Sequence, residues 1–154
     1  MSQVISEELR NIINDPESLK VIASVNVDGE IHVVYKQSLH VNNDGLLEFN
    51  EIIESSQNNK NMVNSIWYDK EIAINVLTKD RRSFEIKGVA HKAYIAGAYF
   101  EEVYRKVTEE IGCYDLSTVW TIEVKSVEEK TFAKRAKEEE ELHPTYRHLD
   151  RLLK

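Results

Sequence analysis

Cysteine is almost absent from this 154-residue chain: Cys113 stands alone. No disulfide can form within the chain, and a reducing compartment, the cytoplasm, is the expected setting. Nothing beside Cys113 would activate a thiolate, so it reads as a half-buried structural thiol. Basic charge is in deficit, with 20 Lys and Arg against 27 Asp and Glu and a net charge of −7. A chain of that sign has no cation excess to displace the counterions of nucleic-acid phosphates, and nucleic acid is not an expected partner. Long hydrophobic runs are missing as well. No stretch approaches the roughly 20 apolar residues that cross a bilayer, and the opening MSQVISEELR lacks the apolar centre of an export signal. The sequence contains no GxGxxG, GxxxxGK[ST], HExxH or GxSxG, which removes the commonest nucleotide, metalloprotease and serine-hydrolase signatures.

What is present suits a globular domain: 42% hydrophobic and 31% charged residues, with length for one sizeable core. We read the chain as a single domain, 1–154, with an N-terminal helix in 1–18, a core in 19–127 and a charged helical tail in 128–154. Ile5, Leu9, Ile12 and Ile13 recur at helical spacing, and Asp15-Pro16 ends that helix. From Lys20 the period becomes two. Strands are predicted over 20–27, over a long run from Ile31 to Val41, and over 46–53, joined by tight turns at Asp28-Gly29 and Asn43-Asp44-Gly45. Met62, Val63, Ile66 and Trp67 mark one stripe of a three-turn helix. Ile72–Leu77 and Ser83–Tyr94 are further strands, and Gly88 within the second suggests a bulge or a close backbone approach. Phe100 to Ile111 is a helix closed by Gly112, and Trp120, Ile122 and Val124 alternate in a last strand. Strands and helices in this order make an α+β fold on a mainly antiparallel six-stranded sheet, long enough to close as a barrel with flanking helices.

Metal chemistry finds no support. His143 and His148 are five apart with Pro144 between them, and His32 and His40 lie eight apart along one strand, spacings that do not converge on an ion. Glu138 to Glu141 read as a solvated helix face. The informative stretch is ESSQNNKN, Glu54 to Asn61. It joins a strand to a helix without a glycine or proline. Ser55 or Ser56 falls where a hydroxyl caps free backbone N–H groups, and a helix start attracts anions. Lys60 lies four residues after Ser56, on the same helix face. Lys36 and Ser38 share one side of the second strand, opposite Tyr35 and Gln37. If that strand borders the third, its basic and hydroxyl groups converge with ESSQNNKN on one phosphate; otherwise Lys36 is an exposed barrel residue.

The order VIASVNVDGEIHVVYKQSLHVNNDGLLEF, then ESSQNNKNMVNSIWYDKEIAINV, then SFEIKGVAHKAYI resembles the pyridoxamine 5′-phosphate oxidase-like FMN-binding split barrels, from about Leu19 to Val127. The resemblance implies FMN as cofactor, with its phosphate held by Lys36, Ser55, Ser56 and Lys60 and its ring lying along Val34, Tyr35, Lys36, Gln37 and Ser38. Asn61 belongs to the same segment. It also implies a homodimer with the flavin at the interface, to which Trp120 would contribute from the partner; a core tryptophan is the other reading of that residue. The implied activity is that of a flavin-dependent oxidoreductase on a small molecule, with a non-catalytic flavin or phosphorylated-ligand binder, or a haem-degrading split barrel, as alternatives. Departures narrow this. The oxidase pattern has arginine where Lys36 stands, and Tyr-Thr-Asn where Phe49-Asn50-Glu51 stands. Arg147 and His148 do not reproduce its C-terminal substrate motif, so pyridoxamine phosphate oxidation is not expected. No residue presents itself as a general acid or base.

Overall fold

The computed structural model describes residues 3–112 and 115–146; Cys113, Arg147 and His148 lie outside them. The chain opens with α1, Glu7–Asn14, whose first turn is capped by Ser6 Oγ accepting from Leu9 N. This helix buries Leu9 and Ile13 and stops before Asp15-Pro16. Strands β1 (Leu19–Val25) and β2 (Ile31–Tyr35) form a hairpin through Asp28-Gly29, where Gly29 adopts φ 82°, a left-handed value that costs a residue without Cβ little. Then come β3 (His40–Val41), β4 (Leu47–Glu51), α2 (Gln57–Tyr68), β5 (Ile72–Leu77), β6 (Ser83–Tyr94), α3 (Ala98–Ile111), β7 (Thr118–Glu129) and α4 (Phe132–Leu142).

All seven strands form one sheet in the order β2-β1-β5-β6-β7-β4-β3, every pair antiparallel. Its two edges, β2 and β3, are joined by residues 36–39 alone. Five residue steps, Tyr35 to His40, span at most roughly 18 Å, whereas a flat sheet of seven strands would hold its edges about 29 Å apart. The sheet therefore has to curl until its edges nearly meet, leaving a barrel split along one seam. Ile22, Phe49, Ile74, Ile86 and Ile122 fill its interior. Gly88 supplies the close approach expected of it: a Cβ there would meet Glu123 O within 2.4 Å. The β6–β7 register shifts between Lys87 and Gly88.

The expected six strands are seven because the long second strand breaks. Lys36 N still donates to Lys20 O as an extension of the β1 ladder, but Leu39 N then donates back to Lys36 O and closes a turn. The buried ammonium of Lys20 fixes this corner, donating to Leu39 O (3.0 Å) and to Ile13 O (2.9 Å) at the end of α1. Burial pushes the Lys20 pKa down against the opposing field of Asp15.

Helix α2 inverts its expected packing. Of the apolar stripe only Met62 is buried, while Val63, Ile66 and Trp67 are exposed, Trp67 at 76%. The inward face is polar, for a structural reason. Strand ends and bulges leave backbone groups that need partners, and α2 supplies them: Asn64 Nδ2 donates to Val25 O, and Ser65 Oγ accepts from Ala90 N while donating to Lys70 O. Asn61 Nδ2 donates to Ser24 Oγ on β1. Helix α3 covers the outer face near β7 through Val103 and Val107, which pack with Leu116 and Val119. It ends at Gly112, φ 95°, whose N–H caps Thr108 O. The acidic helix α4 buries none of its side chains. Among the described residues, no helix is long and apolar enough to cross a membrane.

Candidate functional site

Three features meet where β4 gives way to α2: the seam at residues 36–39, the end of β4, and the first turn of α2. Ser56 is the N-cap, as its position suggested, with Oγ accepting from Asn59 N at 3.0 Å. Ser55 is exposed beside it, and so is Lys60. Lys36 is in a different situation. Its Nζ lies 2.9 Å from both carboxylate oxygens of Glu51, with side-chain exposures of 14% and 3% for the two partners. Asn58 Nδ2, from the first turn of α2, donates to Glu51 Oε2 at 3.1 Å. The ammonium also sits 5.6 Å above the Phe49 ring. Ser38 Oγ is engaged with the backbone of Asn50, accepting from its N–H at 3.0 Å. Gln37 Nε2 donates to Pro16 O and Ser18 O.

The residues named for an anion are therefore not assembled as a set. Ser55, Ser56 and Lys60 share the start of α2, but Lys36 turns its charge to Glu51. Asn61 is buried between Ser24 and Gln57, whose Nε2 donates to Asn61 Oδ1 at 2.7 Å. Val34 is half-buried, and Tyr35 is 65% exposed on edge strand β2. Tested as a seat for the phosphate of FMN, the corner does not fit. The cation that would face the dianion is already paired, with a buried carboxylate that also accepts from the Asn58 side chain in the first turn of α2. One side-chain acceptor beside it, Asn58 Oδ1, is buried without a donor among the described residues; Asn50 Oδ1, also without one, faces the other side of β4 with Glu48. Such acceptors call for N–H or O–H donors, whereas a phosphate dianion brings only more acceptors.

A groove runs along the exposed side of α2. One part, about 640 Å³, is lined by Ile52, Asn59, Val63, Ile95, Phe100 and Trp120, among others. A second, about 470 Å³, shares Val63, Ala93 and Trp120 and adds Ile66, Trp67 and His91. Trp120 forms their common floor, 2% exposed, with Nε1 donating to Asn59 Oδ1 at 2.8 Å. Sequence periodicity identified Val63, Ile66 and Trp67 as one face but not that the face lies open.

A separate cleft of about 800 Å³ lies between the β3–β4 hairpin and α3. Buried Glu48 accepts from Tyr99 Oη at 2.5 Å and from Asn42 Nδ2 at 3.1 Å, with His40 Nε2 at 3.4 Å from its other oxygen. His40 Nδ1 donates to Ser38 O at 2.8 Å. The hydrogen bond to Glu48 holds the His40 pKa above its ordinary value, with burial opposing and Ser38 O adding to the rise. Burial would raise the Glu48 carboxyl, but its donors His40, Tyr99 and Asn42 outweigh it and hold it low. The Tyr99 hydroxyl is pushed up by burial and by the same bond. Nothing in the sequence joined these three residues, which come from two strands and a helix.

No family model matches the chain, and no curated protein does. Solved structures do match. HupZ from Group A Streptococcus is 22% identical with a TM-score of 0.69, over 84% of this chain and 96% of that one. An FMN-binding protein from Syntrophomonas wolfei is 11% identical at a TM-score of 0.62, over 80% and 84%. HutZ, the haem storage protein from Vibrio cholerae, is 14% identical at a TM-score of 0.54, over 82% and 95%. The chain has the fold of these proteins, the split barrel that the sequence resemblance implied.

Proposed function

We propose that this chain is a flavin-binding split barrel that works as a homodimer, with redox chemistry on a small molecule supplied by the bound flavin. The observation that carries this reading is the groove along α2. It offers apolar walls from Val63, Ile66, Trp67 and Phe100 and a tryptophan floor, which suits a flat conjugated ligand bound mainly by its faces. Ile31, Val33 and Tyr35 are also exposed, on an edge strand. Bare strand edges and clustered apolar side chains are surfaces that natural proteins cover, and a second protomer would cover these. The fold shared with an FMN-binding protein supports the flavin, and the single cysteine supports a cytoplasmic setting. The protein's own part would be to bind, orient and exclude water from the ring.

Titrating the purified protein with riboflavin and FMN, read by quenching of flavin fluorescence, tests the reading alongside its mass in solution. A dimer that binds flavin, and a Trp67→Glu variant that loses the binding, are expected. A monomer that quenches neither flavin overturns it.

A second reading, haem binding, is favoured by one observation. His91, whose imidazole is of the type that ligates haem iron, lines the same groove beside Trp67. The fold shared with a haem storage protein supports it. Haem uptake abolished in His91→Ala, with the other histidine variants unaffected, would establish this reading over the first.

A further inference from the structure

The seam corner contains a complete ion pair where a phosphate-binding flavoprotein needs a free cation. Three facts converge on Glu51. Both of its carboxylate oxygens lie 2.9 Å from Lys36 Nζ. It accepts from the side chain of Asn58 in the first turn of α2, which ties the carboxylate to that helix. It is almost fully buried, so water screens the pair little. A dianion entering this corner would meet a fixed negative charge a few ångströms away, and its lysine would have to abandon a two-oxygen contact first. The unpartnered Oδ1 atom of Asn58 adds one more acceptor on the same side.

Taking the flavin reading above as its premise, we infer that Glu51 is a built-in counter-anion that replaces the ligand's phosphate, so that the protein binds the flavin ring and does not select for the 5′-phosphate. Glu51 is then a specificity-determining residue acting through Lys36. The ligands admitted are those whose polar end at this corner is uncharged and rich in N–H or O–H donors, such as riboflavin. Phosphorylated and unphosphorylated forms would be taken alike only because the phosphate stays in solvent, near exposed Lys60 and Ser55.

Paired titrations with riboflavin and FMN test this. In the wild-type protein the two dissociation constants should agree within about threefold. Glu51→Gln keeps an oxygen facing Asn58 and frees the Lys36 charge, and should raise FMN affinity about tenfold relative to riboflavin. Lys36→Gln alone should leave the ratio unchanged, and Lys36→Gln added to Glu51→Gln should abolish the gain. A wild-type preference for FMN of about tenfold or more, lost in Lys36→Gln, overturns the inference while leaving flavin binding intact. A folded Glu51→Gln protein with no gain for FMN overturns the role given to Glu51. Binding of neither flavin overturns the preceding functional reading and this one with it, which separates the two failures. The wild-type ratio needs no variant, so an unstable Glu51→Gln protein does not protect the inference.

Discussion

Glu48 and Glu51 lie three residues apart on β4 and point to opposite faces of it. Glu51 follows Leu47 and Phe49 toward the barrel interior and meets Lys36; Glu48 points outward under α3 and meets His40, Tyr99 and Asn42. Both are buried carboxylates satisfied within the chain, yet they are neutralised differently. Glu51 faces a lysine ammonium across two 2.9 Å contacts, so its pair acts as a fixed element of the seam. Glu48 is held by two neutral donors and a histidine, so part of its stabilisation depends on pH. One buried acid therefore shapes what the seam can bind, while the other clamps α3 onto the sheet.

Removing the partner of Glu51 should give the largest effect. Lys36→Met leaves a buried carboxylate facing only Asn58, and breaking such a pair from one side costs about 3–5 kcal/mol. A lower urea midpoint at unchanged slope would show it. Lys36→Met with Glu51→Leu should recover most of that loss, because desolvating two charges offsets much of what their attraction contributes. No recovery would mean that the pair is needed for stability and not only for ligand choice. Tyr99→Phe comes next, on the other side of the strand. It deletes a hydroxyl that donates to an ionised carboxylate, a loss of about 1.5–3 kcal/mol, and equilibrium unfolding should report it without any change in flavin affinity. Ser56→Ala should cost about 1 kcal/mol through loss of the α2 N-cap. Because Ser56 Oγ is engaged with Asn59 N, the same variant should leave the FMN-to-riboflavin ratio unchanged.

The difference between the two glutamates also marks how far the sequence could be read. Features encoded by near neighbours were legible: the Asp28-Gly29 turn, the Ser56 cap, the Gly88 approach and the Gly112 helix end all appear where local chemistry placed them. The α+β class and the barrel followed from alternation and order, which are also local. The break at 36–39 was not legible, because no glycine or proline makes it; Lys20 holds it from 19 residues away. The inward face of α2 was misread for a related reason. Helical spacing finds an apolar stripe, but the buried face is set by backbone groups on β1 and β6 that need amide and hydroxyl partners. Lys36 was placed on a polar side of its strand, and alternation says nothing of which acid waits across the seam. Glu51 stood visibly where the oxidase pattern has a neutral residue, and that departure was the only local sign of the pair.

The smallest effect concerns His40, and its sign distinguishes the two acids most sharply. His40 titrates at a higher pH in the folded protein than in the unfolded chain, chiefly through its hydrogen bond to Glu48. Its contribution is therefore complete below the ordinary histidine value of 6.5 and fades as pH rises through the folded value. Glu48 titrates below its ordinary value of 4.5, so its contribution is complete above that and fades as pH falls. The clamp on α3 should be strongest between these limits. Lys20, whose field opposes the charge on His40, does not reverse the rise, and Glu102, Lys106 and Glu110 line the cleft from α3. His40 is partly open to solvent, which keeps the effect modest. The urea midpoint should fall as pH rises above 6.5 in the wild type, and His40→Gln should flatten that fall. Lys36→Met should leave the slope with pH intact even though it lowers the midpoint at every pH. A pH slope that survives His40→Gln, or that vanishes in Lys36→Met, would show that the two glutamates do not act as separate elements.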